Sequence, residues 1–252
     1  MSFPKIDVEQ TFADFLAIYG AEISDRTLIG SNKPKNADYI FHKEKIIAEL
    51  KLLKSNPFEN RDFVKSLGKK QDEWLKKGLI TPPALSQVTK IDQLPDKCYR
   101  DVEKLYTRSL KNHIDKTNKQ IKHTKVRSNL LDYKGLLFLG SDGNQFLQPK
   151  HIRHILENLL GKDDFNSSIN MVLYFTVNMV AVSSDDNIVS RLWVYFWRSE
   201  NYEKISLSFL DDLFDNWTQY LSNLLKIPIN KITEMNEEGV TERDILKNMK
   251  FT

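Results

Sequence analysis

Apolar residues near the start of the chain recur every three or four positions. Phe12, Phe15, Leu16, Tyr19 and Ile23 make one stripe, which predicts an amphipathic helix with Asp7 placed to cap it. Glu22 falls near the end of that helix. A turn-rich connection over 26–35, with Gly30 and Pro34, is expected to include a short strand at 27–29. The period then drops to two. Residues 36–51 read as two strands joined at Lys43-Glu44. A two-residue loop makes His42 face Lys45 and puts Asp38 directly opposite Glu49, with Lys51 on the same face as Glu49.

Beyond the hairpin the pattern predicts a charged helix over 60–77 and a long ordered loop over 78–95, marked by Pro82, Pro83 and Pro95. A long helix follows over 97–127. A buried strand over 135–140 ends in a turn at 141–144, and a helix from Pro149 runs to Leu160 and stops at Gly161. Two strands rich in Val, Tyr, Phe and Trp occupy 169–177 and 188–197, around a polar turn at 183–187. A helix over 206–226 and a small helix after Thr241 complete the chain. This order predicts an α/β sheet flanked by helices: one domain over 1–200, and a helical extension over 201–252 packed on it.

Composition narrows the class. The 252 residues are 40% hydrophobic and 11% aromatic, ample for a packed core. Cys98 is the only cysteine, so an internal disulfide and a cysteine-based zinc site are excluded. Residues 1–25 carry Asp7, Glu9 and Asp14 where a signal peptide would be apolar, and the most apolar segment, 171–182, is too short to span a bilayer. The expectation is a soluble, cytoplasmic protein with no membrane partner. The net charge of +3 is too small to indicate nucleic-acid binding by itself. Its distribution says more: in 111–127, Asp115 is the only acid among Lys111, Lys116, Lys119, Lys122, Lys125 and Arg127.

The hairpin carries the candidate chemistry. Like charges directly opposite each other destabilise a strand pair, and a divalent cation between Asp38 and Glu49 would reverse that sign. Glu49 and Lys51 also interrupt a run, 46–53, that otherwise reads as a buried strand, where charges need a partner or a function. The alternative is an edge hairpin whose charged groups are solvated or salt-bridged. An Asp, a gap of ten to twenty residues and then Glu-x-Lys on a hydrophobic strand resembles the PD-(D/E)xK nucleases, the restriction-endonuclease-like superfamily. Ala37 stands where that family has a proline before the first acid. The resemblance covers roughly residues 10–160.

The resemblance implies a restriction-endonuclease-like mixed sheet flanked by helices, and hydrolysis of phosphodiester bonds with Mg²⁺ or Mn²⁺. It makes Asp38 and Glu49 metal ligands, adds the backbone carbonyl of Leu50, and gives Lys51 the task of orienting the attacking water. It places Glu22 as a further ligand from the first helix. It assigns Gln120, next to Lys119, a position facing the site from the helix that follows. Lys116, Lys119, Lys122, Lys125 and Arg127 then become a surface for the nucleic-acid backbone. DNA is the implied substrate, in prokaryotic defence or restriction, with RNA left open and a homodimer or partner subunit as further possibilities. The alternative function is a non-catalytic nucleic-acid-binding or protein-interaction subunit that retains the nuclease fold.

Other patterns carry less. His151 and His154 lack a third metal ligand at fitting spacing. His113 and His123 read as solvent-facing. The segment 140–144 lacks the lysine of a nucleotide-binding loop. The aromatic runs at 174–175 and 193–197 read as sheet core.

Overall fold

A computed structural model describes residues 5–24, 36–54, 61–81, 94–143, 149–160, 168–178, 181–182, 189–190, 193–197, 204–226 and 250–251. Helix α1, Val8–Tyr19, starts where the Asp7 carboxylate accepts the Gln10 amide at 3.1 Å. It stops at Gly20, whose φ of 101° favours a residue without a side chain, and Ala21 N–H closes the end on the Leu16 carbonyl at 2.9 Å. Ile23 therefore does not belong to the helical stripe. It lies with Glu22 in a short edge strand, β1 (Glu22–Ile23).

The main sheet has the order β1-β2-β3-β4-β5-β8, where β2 is Tyr39–Phe41, β3 Ile46–Lys54, β4 Lys134–Asp142, β5 Met171–Val177 and β8 Trp193–Trp197. The first three strands and the β5–β8 pair are antiparallel, whereas β3, β4 and β5 run parallel. Parallel neighbours need crossover connections. Helices α2 (Arg61–Lys76) and α3 (Asp96–Arg127) supply one, and α4 (Pro149–Leu160) the other. The protein is thus α/β, with a mixed sheet flanked by helices.

Each face of the sheet has its own core. On one, α2, α3 and α4 cover Ile47, Leu137, Leu139, Val172 and Tyr174, with Trp74 buried among them. On the other, α1 and a late helix, α5 (Leu207–Leu225), cover Ile46, Ala48, Leu50, Phe138 and Phe175. Phe12 is the hub of that second core, with ring centroids 5.0 to 5.1 Å from Phe138, Phe175 and Trp217. Gly135 is needed for a different reason from Gly20. A Cβ there would meet the Ser168 carbonyl oxygen at 1.9 Å, so only glycine lets the approach to β5 pass this close to β4.

Several boundaries differ from those the pattern predicts. The apolar run at 188–197 is not one strand: β7 (Val189–Ser190) joins β6 (Ala181–Val182) and β9 (Lys250–Phe251) in a separate small sheet, while β8 extends the main one. β-Propensity carries no information about which neighbour each piece will find. β4 continues through Asp142 because it pairs with β3 along its whole length and with β5 from Leu136 to Asp142, and the chain turns only at Gly143, φ 64°. The strand expected at 27–29, the turn at 183–187, most of the long loop and the final small helix lie outside the described residues. Among the described residues no helix is long and apolar enough to cross a membrane.

Candidate active site

The site begins with strand alternation. Ile46, Ala48 and Leu50 of β3 face α1 and α5, so Ile47, Glu49, Lys51 and Leu53 face the helices on the other side. β2 pairs with β3 as Tyr39↔Ala48, Ile40↔Ile47 and Phe41↔Ile46, a register that continues to Asp38 opposite Glu49. The register is the expected one but the turn is longer: the ladder closes at Phe41↔Ile46, Lys45 takes a φ of 54°, and its N–H returns to the His42 carbonyl at 3.4 Å. β3 is an interior strand, so these groups are not on a solvated edge.

The two carboxylates interlock through backbone. Asp38 N–H donates to Glu49 Oε2 at 3.1 Å, and Asp38 Oδ2 accepts the Leu50 N–H at 2.9 Å. In a strand the N–H and C=O of one residue point the same way, so the Leu50 carbonyl also faces the Asp38 side. Lys51 Nζ pairs with Glu49 Oε1 and donates to Gln120 Oε1 at 3.1 Å. Gln120 Nε2 in turn donates to the Asn36 carbonyl at 3.3 Å. Glu49 is only 1% exposed, while the Lys51 side chain keeps 19% of its surface open. Burial, and next the charge of Asp38, push the Glu49 carboxyl up to about 7, against the opposing pull of Lys51 and Gln120.

That arrangement suits a hard divalent cation. Two facing carboxylates and a backbone carbonyl are oxygen donors, and Mg²⁺ is commonly held by one or two carboxylates together with water and substrate phosphate. Among the described residues no three His, Cys, Asp or Glu side chains gather as a ready-made metal cluster. Glu22 does not join the pair. The αL stop at Gly20 ends α1 too early to carry it, and on β1 it pairs across from Ile40, toward the hairpin tip. There its Oε2 lies 2.6 Å from His42 Nε2, and the other ring nitrogen of His42 contacts the Tyr133 hydroxyl at 3.2 Å.

The long helix α3 lies over β3 and brings Gln120 to Lys51. At about 100° per residue, His113, Lys116 and Arg127 fall within about 40° of Gln120 on the helix surface. Lys119 is about 100° away, Lys125 about 140° and Lys122 about 160°. The run of cations is therefore split: Lys116 and Arg127 share the site's side, whereas Lys122 and Lys125 do not. His113 and His123 are not solvent-facing as expected. Burial and the neighbouring charges of Lys51 and Lys116 hold the His113 imidazole below its usual range. His123 Nδ1 meets Asn36 Oδ1 at 3.2 Å, and Thr124 Oγ1 accepts the Ala37 N–H at 2.8 Å.

Sequence reading missed Asn36, His113, His123 and Thr124 as neighbours of the site. The usable signal was the helical spacing of His113, Lys116, Gln120, His123 and Thr124, but it needs the buried direction of α3 to be read. His151 and His154 diverge: His151 is buried with its ring 5.8 Å from Tyr99, and His154 is exposed near Glu103. Tyr174 and Phe175 are core, as their alternation implied. No protein-family model, curated protein or solved structure matches this chain.

Proposed function

We propose that the protein is a divalent-metal-dependent nuclease of the restriction-endonuclease-like fold, hydrolysing phosphodiester bonds in DNA. The observation that carries this reading is the interlocked Asp38–Glu49 pair with Lys51 beside it, in the buried face of an interior strand. The arrangement around it supports the same reading: a helix, an antiparallel three-strand meander with the acids at its second and third strands, two helices, and a strand parallel to the third.

In this reading Asp38, Glu49 and the Leu50 carbonyl would hold Mg²⁺ or Mn²⁺, which would supply electrostatic stabilisation of charge developing on the phosphate. Lys51, partly open to solvent, orients the attacking water and contacts the phosphate. Gln120 and Glu49 each accept one hydrogen bond from the Lys51 ammonium, so its one remaining donor is aimed. Lys116 and Arg127 contact the neighbouring backbone phosphates from the same stripe of α3. Restriction or defence is the setting that suits such an activity.

A second reading has its own support. Lys51 already pairs with Glu49, and Leu50 N–H already satisfies Asp38, so the charges can be held without a metal. A non-catalytic subunit retaining the fold would keep such a pair for structure alone. Incubation with plasmid and linear DNA, with and without Mg²⁺, separates the two. Metal-dependent cleavage by the wild type that is lost in Lys51→Ala supports the nuclease, and no cleavage of DNA or RNA by the wild type removes it.

A further inference from the structure

The β2–β3 ladder begins at Tyr39, and Asp38, the residue whose position matters, is tied on the β1 side by the Ser24 N–H, which donates to its carbonyl at 2.9 Å. Asn36 and Ala37, directly before it, are held by α3. Gln120 takes the Asn36 carbonyl, His123 meets the Asn36 side chain, and Thr124 takes the Ala37 amide. Of these, the Thr124 contact is the most demanding. Ala37 is fully buried and Thr124 is 1% exposed, so water cannot replace the hydroxyl as acceptor. The bond joins residues 87 apart in sequence, directly before the acid.

We propose that Thr124 is a positioning residue for the carboxylate pair: by accepting the Ala37 N–H it sets where Asp38 meets Glu49 and Leu50. In this role Thr124 acts through the Ala37 backbone N–H. The role deepens the nuclease reading and, for its effect on cleavage, rests on it. Proline is the one residue with no N–H to satisfy. A proline at 37 removes the need for the acceptor, which gives the contact a chemical rescue.

The test compares wild type, Thr124→Ala, Thr124→Ser and the double variant Ala37→Pro/Thr124→Ala, in which the smaller alanine leaves room for the proline ring. Amide hydrogen exchange is followed at Asp38 and Leu50, whose N–H groups report the interlock, and at Ile47 and Ala48 as controls within the ladder. Thr124→Ala is expected to speed exchange at Asp38 and Leu50 about tenfold, with the controls unchanged, because a buried donor loses its acceptor. Thr124→Ser and the double variant are expected to return both amides to within about twofold of wild type. Mn²⁺ affinity and kcat on DNA should follow the same order, with KM for DNA unchanged. Uniform acceleration across β3 in Thr124→Ala, or no change at Asp38 and Leu50, overturns the proposal. So does failure of Thr124→Ser to restore protection. The exchange result stands whether or not the wild type cleaves DNA, so loss of the nuclease reading and loss of this one are distinguishable.

Discussion

Toward α1 and α5, β3 presents Ile46, Ala48 and Leu50 to a core built on Phe12, Phe138, Phe175 and Trp217. Toward α3 the same strand presents Ile47, then Glu49 and Lys51. The first face is held by dispersion and apolar burial, and it asks nothing of hydrogen bonding. The second tolerates charge because the helix above it changes character. The buried stripe of α3 runs Cys98, Val102, Tyr106, Leu110 and Ile114, then turns partly polar with Thr117 and Thr124, and Gln120 stands at its edge. One strand thus separates a scaffold from a site by nothing more than side-chain alternation.

The sharpest break of that comparison is chemical. Lys51→Ala and Asp38→Ala are expected to lower metal-dependent DNA cleavage by on the order of a thousandfold, with a thermal midpoint close to wild type. Wild-type turnover by either variant removes the assignment. The reciprocal change is Phe12→Ala, which empties the hub of the aromatic face. It should cost about 3–5 kcal/mol of stability in denaturant titration. Any cleavage that survives should keep its metal dependence.

A third measurement uses pH. Burial and the Asp38 charge push the folded Glu49 carboxyl up to about 7, above the ordinary glutamate range, so the fold binds this proton more tightly than the unfolded chain does. Stability from Glu49 is therefore greatest in acid and falls as pH rises from about 4.5 to about 7, by on the order of 3 kcal/mol. Glu49→Gln should flatten that part of the stability profile and be the more stable protein at pH 8, while losing cleavage. An unchanged slope would show that Lys51 already neutralises the group. The smallest effect separates the two sides of α3. Lys116→Glu should weaken DNA binding and reduce the slope of log affinity against log salt by about one, and Lys122→Glu should leave that slope unchanged. Equal effects would mean that the helix binds DNA without reference to the site.

What could be read from sequence follows the reach of each signal. The hairpin register was legible because period-two alternation leaves one pairing that turns both acids to the same face, and a slip by one would turn Glu49 to the aromatic face. Lys51 was legible from alternation and from its place in an apolar run, Gln120 only through family resemblance, and their contact joins positions 69 apart in sequence. Glu22 was misplaced because the helical stripe was carried through Gly20, whose αL geometry ends the helix. The division of the α3 lysines was hidden for a different reason. A helical wheel gives relative angles, but only packing says which angle is inward. The Thr124–Ala37 bond left no trace, since a threonine in a long helix looks the same whether or not a distant amide needs it.

The hairpin is gripped at both ends by one stretch of chain. At its base, Asn36 and Ala37 are fastened to Gln120, His123 and Thr124. At its tip, Lys45 reaches Asp132 at 2.6 Å and His42 meets Tyr133, both just past the end of the same helix. Helix and hairpin therefore form a closed bracket. A sliding or tilting of α3 carries the hairpin, and both carboxylates, with it.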